Sequence, residues 1–216
     1  MNVEIWSDVV CPWCYIGKRR FEAALERFEH RDAVEVHWHS FELDPQAGPS
    51  GEVPGAERLA AKYAMSLEDA RARHAQLEEL ATAEGLEYHL DRTRGGNSFD
   101  AHRLHQLAID RGLSDAVMER LMRAYFTDGE AIDDHEVLLR LVTEAGLDTD
   151  EARAVLAGDR YTEEVRADEH TAARIGIRGV PFFVLGRRFG VSGAQAPDIM
   201  LQALEKAWEE TQGAAA

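Results

Sequence analysis

The stretch from Val3 to Phe21 reads VEIWSDVVCPWCYIGKRRF and contains the only two cysteines of the chain, Cys11 and Cys14. Residues 3–6 are short and rich in strand formers, which predicts a buried strand. Residues 15–30 place apolar side chains at i, i+4 and i+7, a spacing that predicts a helix. The two cysteines are therefore expected where a strand passes into a helix.

This position has a chemical consequence for the two thiols. Pro12 falls at the first helical position, where its missing N–H is not needed. Cys11 would lie at the helix N-terminus, where free N–H groups and the helix dipole stabilise a thiolate. Cys14 would lie one turn inside, close enough for a disulfide and more buried. Cys11 is thus predicted to attack and Cys14 to resolve; the alternative is a chance pair of small buried core residues.

Alternation of apolar and polar residues over 34–39 predicts a second strand, so residues 3–39 form a β–α–β unit with parallel strands. Next comes a Pro- and Gly-rich loop, DPQAGPSGEVPG, over residues 44–55. Beyond the loop, capping residues and helix-ending glycines indicate a block of helices. The helices are predicted over about 66–85, 97–112, 114–126, 133–146, 148–158 and 161–175.

Strand character returns near the end of the chain. Residues 181–185 and 188–191 predict a β-hairpin, and Gly186-Arg187 between them is typical of a type II′ turn. A last helix is predicted from Pro197, followed by a loose tail from Gly213.

The predicted fold class is therefore α/β. The two ends of the chain, residues 1–45 and 176–216, would form one small sheet domain, and residues 46–175 would form an inserted all-helical domain.

Charge and composition narrow the functional classes. The chain has 216 residues and a formal net charge of −16, which argues against nucleic acid or an anionic membrane as a partner. The first ten residues lack the basic region of a secretory signal, and no apolar run approaches the ~18 residues of a membrane span. A structural zinc site needs four ligands, and there is no second CxxC. We therefore expect a cytoplasmic protein without a bound metal.

Pro181 stands directly before the predicted hairpin, in the run RGVPF. Proline cannot lie within a continuous central strand, because it has no N–H to donate. Two explanations remain open. The Val180–Pro181 bond is cis and presents the Val180 backbone to an extended partner, or it is an ordinary trans bond at the start of a strand.

Four segments together resemble a known family. They are DVVCPWCYIGKRRFE (8–22), NSFDAHRLHQLA (97–108), GIRGVPFFV (176–184) and GVSGAQ (190–195). They are similar to the FrnE-like subfamily of the DsbA-like oxidoreductases, within the thioredoxin superfamily. The resemblance implies a thioredoxin fold with a large inserted all-α domain. It also implies that Cys11 and Cys14 are the redox pair, that Pro181 is the cis-proline beside them, and that the protein is cytosolic.

The function that follows is thiol–disulfide exchange through a mixed disulfide on Cys11, with the partner's backbone aligned along Val180. The partner would be a protein or small molecule that carries a disulfide or thiol. The chemistry requires no metal or organic cofactor, although glutathione is a candidate co-substrate. The sequence leaves open a monomer or a homodimer, and also the redox direction.

A second function is implied by the same resemblance. The branch includes glutathione-dependent 2-hydroxychromene-2-carboxylate isomerases and kappa-class glutathione transferases, which share a stretch matched here by Asn97 and the run AHRL at 101–104. Asn97 and His102 are therefore candidate substrate-binding residues, although Asn97 can equally cap its helix. These enzymes typically carry serine where this chain has Cys11, which argues against their activity here. A third hypothesis is a chaperone or interaction module that does not use the cysteines.

Two residues near the cysteines are candidates for tuning the site together with Pro12. Asp8 precedes Cys11 by three positions, and it either accepts a proton from the dithiol or satisfies N–H groups of the loop. Trp13 lies between the cysteines and is expected to be exposed toward a partner. It would contribute apolar contact and influence the redox potential.

Overall fold

The computed structural model describes residues 1–213, so the predicted tail lies outside the described residues from 214 on. The chain divides into two compact units. The first, the sheet unit, comprises Met1–Leu43 together with the chain from Arg166 onward. The second, the helical unit, is Asp44–Val165. The prediction placed the second boundary at 175/176, after a helix; in the structure it falls inside that helix.

The strands are β1 (Asn2–Ser7), β2 (Glu35–Ser40), β3 (Phe182–Leu185) and β4 (Phe189–Ser192). The helices are α1 (Pro12–Arg27), α2 (Gly55–Tyr63), α3 (Leu67–Ala83), α4 (Phe99–Asp110), α5 (Ser114–Arg123), α6 (His135–Glu144), α7 (Thr149–Ala157), α8 (Thr162–Ile175) and α9 (Pro197–Gly213). Short helical turns cover Arg31–Ala33, Leu90–Arg92 and Ala124–Asp128.

The four strands form one mixed sheet in the order β2-β1-β3-β4. β1 and β2 are parallel, with Ile5 opposite Trp38, as the β–α–β pattern predicts. β3 is antiparallel to β1, and β4 is antiparallel to β3. The segment from the C-terminal part of the chain therefore lies directly beside the strand that leads to the cysteines.

The two faces of the sheet are covered by different helices. On one face, the rings of Phe21 in α1 and Phe183 in β3 lie 5.6 Å apart. On the other face, Trp6 packs against Ala172 of α8, and its Nε1 donates a hydrogen bond to the carbonyl of Asp168 at 3.1 Å. Trp6 and Phe183 are both almost completely buried. The alternation along β1 and β3 thus fixes which side chains point toward α1 and the cysteines.

Side-chain caps begin several helices of the helical unit, as the sequence predicts. The Ser66 hydroxyl accepts from the Asp69 N–H at 3.0 Å at the start of α3. The helix α6 begins one residue later than predicted, since Asp134 rather than Asp133 is its cap and accepts from the Glu136 and Val137 N–H groups. Because Asp133 and Asp134 are adjacent, the capping pattern could not distinguish them.

Helix α2 was not predicted. Its sequence, GAERLAAKY, has only two large apolar residues, too few to establish a period of 3.6 over nine residues. It lies directly after the loop at 44–55 and contacts α3.

The type II′ prediction for the hairpin turn is wrong. Gly186 and Arg187 both have φ of 58°, and the Arg188 N–H donates to the Leu185 carbonyl at 3.1 Å. Positive φ at both central residues is typical of a type I′ turn, whereas a type II′ turn has it only at the first. A non-glycine residue in the second position concealed this, because arginine rarely adopts a positive φ.

Within residues 1–213, no helix is both long enough and apolar enough to span a membrane.

Candidate active site

The loop between β1 and α1 places the cysteines where the sequence predicts them. Cys11 is the N-cap residue of α1, with extended backbone (φ −91°, ψ 111°), and Pro12 is the first helical residue. The Cys11 N–H donates to the Asp8 carbonyl at 3.1 Å, and the Cys14 N–H donates to the Cys11 carbonyl at 3.0 Å. Cys11 makes no side-chain capping bond to its helix.

Both cysteines are free thiols, and both are buried, with 3% exposure for Cys11 and 1% for Cys14. Burial is the largest cause that raises the pKa of the Cys14 thiol. The hydrogen bond to Cys11 and the charge of Cys11 raise this pKa further, while Ser7 and the Asp8 backbone lower it by smaller amounts. Cys14 therefore keeps its proton when one thiol of the pair ionises.

We expect the free energy of unfolding of the reduced protein to fall as the pH rises above about 8.5, the pKa of an unperturbed cysteine. The folded state retains the Cys14 proton where the unfolded chain has released it, so alkaline pH favours unfolding. The stabilisation from the protonated Cys14 thiol is complete below the pKa of that thiol in the unfolded chain. It is lost as the pH rises toward the higher pKa of Cys14 in the folded protein. For one proton the slope is at most about 1.4 kcal/mol per pH unit.

Urea unfolding of wild type and Cys14→Ala between pH 7.5 and 10 measures this slope, and the variant controls for all other titrating groups. Parallel pH profiles for the two proteins would contradict the prediction.

The second half of the site comes from the segment before β3. The Val180–Pro181 peptide bond is cis. The Cys11 Sγ lies 3.5 Å from the Val180 carbonyl oxygen, as a donor to it, although 169 positions separate the two residues. The Pro181 carbonyl accepts from the Gly193 N–H at 2.8 Å, which ties this loop to the end of β4. The structure thus brings Cys11 and Val180-Pro181 together.

A family model described as the DSBA-like thioredoxin domain matches residues 2–205. The chain belongs to this family. A crystal structure of a probable DsbA oxidoreductase from Streptomyces coelicolor is 50% identical, with a TM-score of 0.92 over 97% of this chain and 91% of the other. YwbO of Bacillus subtilis, an uncharacterized protein, is 26% identical over 206 residues, which cover 94% of this chain and 96% of YwbO. The α/β thioredoxin fold with a helical insertion is thereby confirmed.

Two more distant structures share the fold. The cytosolic disulfide reductase DsbM from Pseudomonas aeruginosa, solved with GSH, is 22% identical with a TM-score of 0.68, over 97% of this chain and all of DsbM. A 2-hydroxychromene-2-carboxylate isomerase is 17% identical with a TM-score of 0.74, over the full length of both chains. At these identities the likeness concerns the fold alone.

Within this DSBA-like domain, Trp13 and Asp8 lie on either side of Cys11 in opposite environments. Trp13 is 43% exposed and is the large apolar side chain between the two buried thiols. Asp8 is completely buried. Its Oδ2 accepts from the Leu43 N–H at 2.7 Å and its Oδ1 accepts from the Val10 N–H at 3.3 Å. Asp8 therefore joins the loop before Cys11 to the segment after β2; its role as a proton acceptor stays a prediction.

Replacement of Asp8 by alanine should lower the free energy of unfolding by about 1–3 kcal/mol, because the Leu43 N–H loses its acceptor in a partly buried place. Asp8→Asn keeps an acceptor oxygen but removes the charge. If Asp8 also accepts a proton, Asp8→Asn slows disulfide exchange more than it lowers stability. Urea unfolding and exchange kinetics on both variants separate the structural role of Asp8 from its role as a proton acceptor. An unchanged stability of Asp8→Ala would contradict the structural role.

The candidate substrate-binding residues Asn97 and His102 both belong to the helical unit. The Asn97 Oδ1 accepts from the Phe99 N–H at 2.9 Å, and its Nδ2 donates to the Pro45 carbonyl at 3.2 Å. Asn97 thus contacts the first residue of α4, but the N-cap residue of that helix is Ser98 and not Asn97. His102 lies on α4 with no solvent exposure. Substrate binding by either residue stays a prediction.

Sequence reasoning missed two residues that support the site. A Cβ atom on Gly17 would lie 2.8 Å from Cγ of Pro181, so α1 approaches the proline ring as closely as a glycine allows. Arg20 donates to the Ala194 carbonyl at 2.7 Å and holds the loop after β4 against the same helix. The available signal was Gly17 itself, since a glycine inside a helix often marks a close contact.

Proposed function

We propose that this chain is a thiol–disulfide oxidoreductase that exchanges disulfides through Cys11 and Cys14. The observation that carries the proposal is the position of the Cys11 sulfur. It lies at the start of α1, 3.5 Å from the Val180 carbonyl, and Cys14 is buried one turn further along the helix. Membership in the DSBA-like family supports the same chemistry.

The first step is attack by the Cys11 thiolate on one sulfur of a substrate disulfide. The substrate S–S bond breaks, a Cys11–substrate disulfide forms, and the departing thiolate takes up a proton. Cys11 is the N-cap residue of α1, and the N-terminal end of a helix is where the dipole attracts negative charge. The raised pKa of Cys14 supports attack by Cys11 before Cys14, since Cys14 stays protonated in the resting dithiol.

In the second step Cys14 loses its proton and attacks the Cys11 sulfur. The Cys11–substrate bond breaks, the Cys11–Cys14 disulfide forms, and the second substrate thiol departs. The substrate has then gained the two electrons that the protein has lost. Two of the causes that raise the pKa of Cys14 are the charge of Cys11 and its hydrogen bond, and both vanish once Cys11 is in the mixed disulfide. Formation of the intermediate thus activates the resolving thiol.

The segment before β3 would bind the substrate backbone. Within residues 1–213 the Val180 N–H carries no hydrogen bond, so it can donate to an extended partner that lies along the loop. Exposed Trp13 adds apolar surface beside the reacting sulfur. The partner would be a disulfide- or thiol-containing protein or small molecule. Glutathione is our proposed co-substrate, supported by the related DsbM fold solved with GSH, and that cytosolic protein also supports a cytoplasmic location.

The test is equilibration of the protein in glutathione buffers of defined ratio, followed by thiol alkylation and mass spectrometry. The expected result is a reversible Cys11–Cys14 disulfide whose fraction follows the buffer ratio. A Cys14→Ala variant is the control, because it can form only a mixed disulfide with glutathione. A pair that stays reduced in every buffer would contradict the proposal. The isomerase hypothesis instead requires saturable glutathione binding and turnover that survives loss of Cys14.

A further inference from the structure

The helical unit contains an open surface cavity of about 360 Å³, lined mostly by exposed residues, that the redox chemistry does not use. Three short segments line it: residues 51–53, 91–94 and 128–129. A volume of this size lies within the ~300–1,000 Å³ typical of small-molecule sites. Val53 is the one aliphatic side chain in the lining, and charged residues and glycines supply most of the rest. A polar ligand therefore fits this cavity better than an apolar one.

The walls of the cavity are held in place by hydrogen bonds and close packing. The Gly51 N–H donates to the Arg94 carbonyl at 2.9 Å. The Arg58 guanidinium donates to the carbonyls of Val53 and Thr93, and so joins the first two segments. The third segment packs directly on the second, since a Cβ on Gly129 would lie 2.9 Å from the Arg92 carbonyl oxygen. A ligand would meet a largely formed site.

The acidic groups in the lining are mostly engaged. Asp128 is paired with Arg120 at 3.1 Å. The Asp91 Oδ1 accepts from the Ala56 N–H at 3.0 Å and lies 3.4 Å from the His74 Nδ1. Glu52 is the one carboxylate of the lining without such a partner among the described residues.

The basic groups of the lining are not engaged. Within residues 1–213 neither Arg92 nor Arg94 has an ion pair or a side-chain hydrogen bond. The N–H groups of Glu52 and Val53 are likewise without an acceptor there. Over residues 44–165 acidic side chains outnumber basic ones by 26 to 13, and Arg92 and Arg94 are the two basic residues without a salt-bridge partner that line this cavity. The groups available to a ligand are thus two guanidinium groups and two N–H donors against one carboxylate.

We propose that this cavity binds a small dianion, either a phosphate monoester or a dicarboxylate, through Arg92 and Arg94. Each guanidinium group can donate two parallel hydrogen bonds to the oxygens of a phosphate or carboxylate. Two negative charges on the ligand match the two cations, and their attraction opposes the repulsion from Glu52 and from Asp91, whose partners are an N–H group and a histidine. The free N–H groups of the 52–53 turn add donors of the kind that line anion sites. The site is independent of Cys11 and Cys14.

The test uses inorganic phosphate and succinate as probes, each titrated at constant ionic strength with chloride as the balancing salt. Isothermal titration calorimetry and ¹H–¹⁵N NMR on the full chain measure binding. We expect saturable binding of at least one probe, with a stoichiometry of one and shifts centred on the Gly51 and Gly129 amides. Binding of phosphate alone identifies the phosphate ester class, and binding of succinate alone identifies the dicarboxylate class.

The variant Arg92→Gln/Arg94→Gln should weaken binding by at least about tenfold, because each charge-assisted hydrogen bond contributes more than a neutral one. Arg123→Gln is the matched control, since it removes an exposed arginine of the same unit that does not line the cavity. Circular dichroism verifies that the variants fold. Absence of saturable binding for both probes, or unchanged binding in the double variant, would overturn the proposal.

Discussion

Replacement of Cys14 by serine should trap the protein in covalent complexes through Cys11. Attack by Cys11 forms the mixed disulfide, and without the Cys14 sulfur the intermediate can leave only by attack from an external thiol. Incubation with a disulfide-containing protein or with oxidised glutathione, then acid quenching and mass spectrometry, should show an adduct on Cys11. Multiple-turnover exchange should fall to the background rate of the uncatalysed reaction.

The matched control is Cys11→Ser. Cys14 lies one turn inside α1 and its pKa is raised, so it should not replace Cys11 as the attacking thiol. We expect neither adducts nor catalysed exchange from this variant. Exchange at the wild-type rate by Cys11→Ser would rule out the proposed mechanism. Catalysis of a different reaction that survives in Cys14→Ser would instead favour the glutathione-dependent isomerase hypothesis.

Gly17→Ala should lower stability and disulfide exchange together. The new Cβ would lie 2.8 Å from Cγ of Pro181, and the proline ring is rigid, so α1 or the loop before β3 has to move. Overpacking of this kind typically costs about 1–3 kcal/mol. For a chain of this size the melting temperature should fall by roughly 2–12 °C. Exchange should slow as well, because the loop that moves carries the Val180 carbonyl beside Cys11.

Gly17→Ala is expected to lower the free energy of unfolding, whereas Gly→Ala inside a helix ordinarily raises it by about 0.5–1 kcal/mol. Gly179→Ala is the control for stability. A Cβ on Gly179 would meet nothing within 4 Å, although this residue belongs to the same loop. Thermal unfolding of wild type, Gly17→Ala and Gly179→Ala measures the effect. A Gly17→Ala protein that melts at or above the wild-type temperature would show that the contact between residue 17 and Pro181 is not tight.

The N-terminal half of the site could be predicted from the sequence because its determinants are local. The strand residues 3–6, Pro12 and the spacing of the cysteines together fix where α1 begins, and the structure has Cys11 as N-cap and Pro12 as the first helical residue. The helix caps at Ser66 and Asp148 could be found for the same reason. Each of these features depends on residues that lie close together in the sequence, between positions 3 and 14 for the start of α1.

The contacts of the second half could not be derived in this way. That Val180 lies at Cys11 follows from the pairing of β3 with β1, which joins residues more than 160 positions apart. Residue properties alone favoured a trans Val180–Pro181 bond, since few X–Pro bonds are cis, and only the family resemblance favoured the cis form. The contact between Gly17 and Pro181 needs side-chain packing in three dimensions, and the helical-unit cavity depends on three segments brought together by the fold.

The long sequence separation within the site has a consequence for synthesis of the chain. Cys11 emerges from the ribosome before Val180, which follows it 169 residues later. At about 5–20 residues per second, the interval is roughly 8 to 34 s. During that time β1 lacks its neighbour β3, and the two thiols lack the loop that covers Cys11 in the finished protein. The two thiols of the nascent chain are therefore most accessible to unwanted oxidation before the segment around Val180 is made, and a reducing environment during translation protects them.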